Sequence, residues 1–289
     1  MITTVFKTWV EAIKALLKNP IALALFAVLY ALLLASLYAF VAIREATVSQ
    51  VAITLLLIVM VPAEFFICQA TILVHARGFN FHWRAILIDA CKQLVVTIPI
   101  LIIGYVFWIL LNKWQLHYPA PRAAITFPPA AAKPQPLHWP TLLFVTARFL
   151  IFGLMLPLAT IHLWIGIVTQ ELRTFFGDGT ETLRRLGQIM ARAFASSSVL
   201  IYALGAIFFA LIPYALLFVH IPVKGTKTDF VVFIARLALV FVFTLVGWIV
   251  TLSTLARNAP AATGARQDVT PGVSPGNPAA SELLSPQSG

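Results

Sequence analysis

Charge is scarce in this sequence: Asp, Glu, Lys and Arg together make up 10% of its 289 residues, where an ordinary soluble domain carries about a quarter. That scarcity excludes an ordinary soluble fold. Cysteine is nearly missing as well, and the two present, Cys68 and Cys91, imply no disulfide framework; they read as small apolar filler. The chain has no P-loop, no GxSxG and no dinucleotide fingerprint, so ATP-driven and hydrolase chemistry have no visible residues. His75 and His82 lie seven apart without the HExxH arrangement, which excludes a zincin-type metalloprotease, and no metal or other cofactor is expected. The stretch "FGDGTE", residues 176–181, places Asp178 before an amphipathic helix with no second intramembrane aspartate to complete a dyad. It reads as a loop and a helix N-cap.

Apolar residues are abundant instead, at 61% of the chain with a mean hydropathy of +0.94. They fall into six runs: Ile21–Ile43, Val51–Val74, Leu94–Leu111, Thr141–Val168, Ser197–Ile221 and Phe230–Leu255. Most reach the roughly 20 residues that a helix needs to cross a hydrocarbon core of about 30 Å. The expected fold is therefore all-α, a polytopic membrane protein with six transmembrane helices over residues 21–255. A polar helical segment precedes the first run, which is too long for a signal-peptide core, so that run reads as a retained span.

The net charge of +10 would suggest nucleic acid in a soluble protein; spread over loops it reads as topology, and no nucleic acid is expected. With the N-terminus inside, the inner segments hold Lys7, Lys14, Lys18, Arg77, Arg84, Lys92, Arg173, Arg184, Arg185, Arg192, Arg257 and Arg266. The outer loops hold Arg44, Lys113, Arg122, Lys133, Lys224 and Lys227. This asymmetry predicts a multi-pass protein of a bacterial inner membrane with both termini cytoplasmic.

Residues 1–20 contain "VFKTWVEAIKALLKNP", with Val5, Trp9, Ile13, Leu16 and Leu17 on one face and Lys7, Glu11, Lys14 and Lys18 opposite. This spacing predicts an amphipathic interfacial helix. The design recurs near residues 79–93 ("FHWRAILIDACKQ") and 180–195 ("ETLRRLGQIMARAF"), each leading into a span. A shift of 101 pairs Gly78 with Gly179, Arg84 with Arg185, Gly104 with Gly205 and Phe107 with Phe208, and "VMVPAEFF" lines up with "LMLPLATI", Pro62 with Pro157. Units running in the same direction predict parallel internal repeats, three helical hairpins around one axis. Residues 112–140 read as an extended outer loop rich in proline and alanine, and residues 256–289 as a disordered cytoplasmic tail.

Five polar residues inside the spans are the candidates for function. Glu64 lies near mid-membrane, where a carboxylate is costly unless protonated or paired; it reads either as a proton or cation site extended by Gln69, or as a hydrogen-bonded lock between helices. Arg148 and Arg236 enter at one depth, either as interfacial anchors or as a basic site for a lipid phosphate or anionic solute. His162, with Thr160 and Gln170 along the same inner half, fits a hydrogen-bonded core histidine.

The amphipathic segments "WVEAIKALLKNPIAL", "HWRAILIDACKQL" and "LRRLGQIMARAF" make the chain resemble the bacterial membrane domains fused to glycerophosphodiester phosphodiesterases and related inner-membrane proteins. The soluble phosphodiesterase barrel has no room here, so the resemblance implies an accessory membrane module without that activity. The function expected is a non-enzymatic scaffold or accessory subunit whose partners are the lipid bilayer and a membrane protein or further copy of the chain. The alternative is a proton-coupled transporter of a small solute or lipid.

Overall fold

A computed structural model describes residues 2–44, 47–78, 81–118, 138–168, 179–219 and 226–258. Most of the loop expected at 112–140, nearly all of the tail expected at 256–289, and Gln170 and Asp178 lie outside the described residues. Of the described residues 93% are helical and none is in a strand. We number the helices α1 (Ile2–Leu17), α2 (Pro20–Ala42), α3 (Val48–Ala76), α4 (Trp83–His117), α5 (Trp139–Val168), α6 (Gly179–Ala193), α7 (Ser196–Phe218) and α8 (Thr226–Asn258). Six of them, α2, α3, α4, α5, α7 and α8, are long and apolar enough to cross a membrane.

Local chemistry sets the helix ends. The Asn19 side chain accepts from the Ala22 N–H while Pro20 fills the first turn, where no N–H is missed, so α1 breaks cleanly from α2. Thr47 and Gln50 form a reciprocal capping box at the start of α3. At its other end Gly78, at φ 71°, adopts the left-handed turn that stops the helix. Ala195 is extended and separates α6 from α7. No such breaker stands between residues 83 and 93 and the third span, and α4 runs unbroken for 35 residues, about 52 Å at 1.5 Å per residue. The amphipathic segment expected near 79–93 thus supplies the first turns of α4, with Ile86 and Ala90 buried.

Prolines interrupt four spans, with two outcomes. Pro62 and Pro99 sit in continuous α-helix. Pro157 and Pro213 instead follow π-helical turns, Phe149–Met155 and Ile207–Leu211, where Leu156 N–H bonds the Ile151 carbonyl and Ile212 N–H the Ile207 carbonyl, five residues back. A proline ring clashes with the carbonyl four residues earlier and offers it no N–H; widening the preceding turn relieves both.

The returning helices α3, α5 and α8 touch one another pairwise, while α2 packs on α3, α4 on α3 and α5, and α7 on α8. Burial is concentrated at the end of the bundle that carries α1 and α6. Most residues of α3 from Phe66 to Ala76 are buried there, with Leu158, Ile161–Ile165 and Ile167 of α5 and Ile249–Ala256 of α8. The opposite halves present Leu55, Ile58, Leu101, Ile102, Val145 and Phe233 outward, as helices solvated by acyl chains do. The apolar face of α1 is covered by protein: Val5, Trp9, Ala12 and Leu16 are buried, α1 packs on α7 and α8, and the Trp9 ring lies 4.6 Å from that of Phe208.

Candidate functional site

The five candidate residues are held by different neighbours. On α3, Glu64 Oε1 accepts a hydrogen bond from Ser36 Oγ of α2 at 3.1 Å, while Oε2 is buried without a partner. Gln69, further along the same helix and 3% exposed, receives the Trp248 indole N–H of α8 on its Oε1 at 2.7 Å. The pair suggested by their spacing is therefore split, one residue tying α3 to α2 and the other tying α3 to α8.

His162 of α5 is buried with Nδ1 2.9 Å from the Leu158 carbonyl and Nε2 3.2 Å from Ser198 Oγ of α7. A carbonyl only accepts, so Nδ1 carries the proton and Nε2 takes the serine hydroxyl. Among the described residues no group of three His, Cys, Asp or Glu side chains is placed to hold a metal.

The two intramembrane arginines also part company. Arg236 of α8 donates through a terminal nitrogen to the Val219 carbonyl at the end of α7, with its Nε buried and unpartnered. This is the geometry of a side chain reaching toward the interface. Arg148 of α5 holds its guanidinium 4.7 Å from the Trp108 ring centroid of α4, a cation–π contact. Among the described residues it has no carboxylate partner.

Three further features had no sequence signal strong enough to single them out. Trp164 donates its indole N–H to Thr97 Oγ1 at 2.8 Å, and that hydroxyl donates onward to the Gln93 carbonyl at 2.6 Å. The Gln93 side chain is fully buried with both polar atoms unpartnered. Arg77, just past the end of α3, donates to the Ile165 carbonyl at 2.6 Å; burial lowers its pKa and the nearby Asp89 partly offsets that.

An open cleft of about 560 Å³ lies between α4 and α5 and reaches the three returning helices. Thr97, Gly104 and Trp108 of α4, Phe152 and Trp164 of α5, and Trp248 of α8 are among its lining. None of the five candidates lines it, although Arg148 stands over Trp108 at one end. Compared with family models, curated proteins and solved structures, the chain matches none.

Proposed function

We propose that this chain is a non-enzymatic scaffold or accessory subunit of a bacterial inner membrane, with both termini cytoplasmic and its amphipathic segments on the cytoplasmic face. The observation that carries this reading is the use made of the intramembrane polar groups. Glu64 joins α3 to α2, Gln69 joins α3 to α8, and His162 joins α5 to α7. Each serves as an interhelical hydrogen bond of the kind that fixes packing in lipid, and they do not converge on one chamber. The resemblance to membrane domains of glycerophosphodiester phosphodiesterases points the same way, as do the paired positions of the proposed parallel repeats: Gly104 faces Leu156 of α5 and Gly205 faces Thr251 of α8.

One observation favours a second reading, a proton-coupled carrier of a small solute or lipid. Glu64 Oε2 is buried and unpartnered, as a carboxyl that exchanges a proton would be. Native mass spectra of the chain extracted from its own membrane into nanodiscs separate the two. The scaffold reading expects a stoichiometric protein partner that survives Glu64→Gln and is lost with α1. A lone chain that moves solute into liposomes and stops on Glu64→Gln overturns it.

A further inference from the structure

The cleft between α4 and α5 is a feature that the hydrogen-bonding pattern leaves unexplained. Its volume of about 560 Å³ sits within the range of about 300–1,000 Å³ typical of ligand pockets. Along α4 it extends from Thr97 to Trp108, about 16 Å at 1.5 Å per residue, so it is long and narrow in the direction of the helices. Gly104 lets the two walls approach: a Cβ there would lie 3.3 Å from Leu156 Cδ1 and 4.0 Å from Phe152 Cε1. The polar groups near its deep end are already engaged, since the Trp164 indole N–H and the Thr97 hydroxyl bond each other. What remains to contact an occupant there is hydrocarbon and aromatic ring.

The opposite end is different. Trp108 and Phe152 meet edge to face with centroids 6.2 Å apart, and the Arg148 guanidinium lies over the Trp108 ring. Arg148 is exposed, and its positive charge has no carboxylate among the described residues. It stands nine residues from Trp139, about 13 Å along α5, a depth from which an arginine reaches up toward headgroups. A long apolar trough with an uncompensated guanidinium at its interfacial end matches a molecule with a hydrocarbon chain and one anionic head. Arginine is the side chain best suited to a phosphate, and the solvent of this surface is itself phospholipid. We propose that the cleft binds an anionic glycerophospholipid, with one acyl chain along α4 between Thr97 and Trp108 and the phosphate on Arg148.

This inference holds whether the chain is a scaffold or a carrier. The test is competition on the delipidated full chain between phosphatidylglycerol and phosphatidylcholine with identical acyl chains, read by native mass spectrometry. The expected result is one retained phosphatidylglycerol, favoured by about tenfold, the scale of one charge-assisted contact. Arg148→Gln brings the two lipids to parity, Arg148→Lys keeps most of the preference, and Arg236→Gln, at similar depth but engaged with Val219, leaves it intact. Parity on the unaltered chain overturns the proposal without recourse to any variant. An undiminished preference in Arg148→Gln overturns it equally.

Discussion

Gly205→Ala is the sharpest perturbation of this bundle. A Cβ on Gly205 would stand 2.0 Å from Thr251 Oγ1, 2.6 Å from Cγ2 and 2.8 Å from Cβ of the same residue. Rotating Thr251 moves the first two atoms at the cost of its hydrogen bond to the Gly247 carbonyl, but the third is fixed by the α8 backbone, so α7 and α8 must separate. Alanine in place of glycine favours a helix by about 1 kcal/mol. Overpacking a tight site costs about 1–3 kcal/mol, and with three contacts below 3 Å the upper end applies. The net expectation is a loss of about 2 kcal/mol. Gly187 on α6 supplies the control, because nothing lies within 4 Å of a Cβ there; Gly187→Ala gains up to about 1 kcal/mol. Unfolding in detergent followed by tryptophan fluorescence reads both. The double variant Gly205→Ala with Thr251→Gly removes all three close contacts, so it recovers stability relative to the sum of the two single changes. Equal effects of the two alanines, or no recovery in the double variant, would refute the close-approach argument.

Other variants probe the polar contacts and α1. Trp248→Phe strands the buried Gln69 Oε1 and costs about 1–2 kcal/mol. Trp164→Phe costs less, under about 1 kcal/mol, because the Thr97 hydroxyl keeps its bond to the Gln93 carbonyl; the same unfolding assay ranks the pair. Glu64→Gln retains an acceptor for Ser36 and shifts stability by less than about 1 kcal/mol, and a larger loss would mean that the carboxylate's charge is itself used. Trp9→Ala empties a site that is 4% exposed and costs about 3 kcal/mol, with limited proteolysis then cutting within α1 before the spans.

The spans were readable because their signal is additive over some twenty residues: the first, expected at Ile21–Ile43, runs Pro20–Ala42, and the second, expected at Val51–Val74, lies within Val48–Ala76. The third apolar run, Leu94–Leu111, is the middle of a longer helix, because hydropathy records where lipid begins, whereas α4 continues to Trp83 on an amphipathic face whose Ile86 and Ala90 are buried. Glu64, Gln69 and His162 stood out as polar residues in apolar runs. Their partners did not, since Ser36, Trp248 and Ser198 lie 28, 179 and 36 positions away and carry no mark of pairing. Arg148 and Arg236 share a depth on paper, but depth says nothing of azimuth, and each turns to a different helix. The contrast between Pro62 in regular helix and Pro157 behind a π-helical turn was equally hidden, because both are the same residue in similar apolar surroundings.

That contrast has a consequence for the history and engineering of the chain. A π-helical turn is one residue more than the helix requires, so it behaves as an insertion accommodated without a loop. Deleting a single residue within Phe149–Met155 removes that extra residue and returns the turn to ordinary helix, with both flanking halves keeping the faces they now present. Arg148 then stays over Trp108 and His162 beside Ser198. The fourth span can thus lose one codon at this turn without changing which groups it presents to lipid, whereas a deletion in its regular part rotates one half against the other by about 100°.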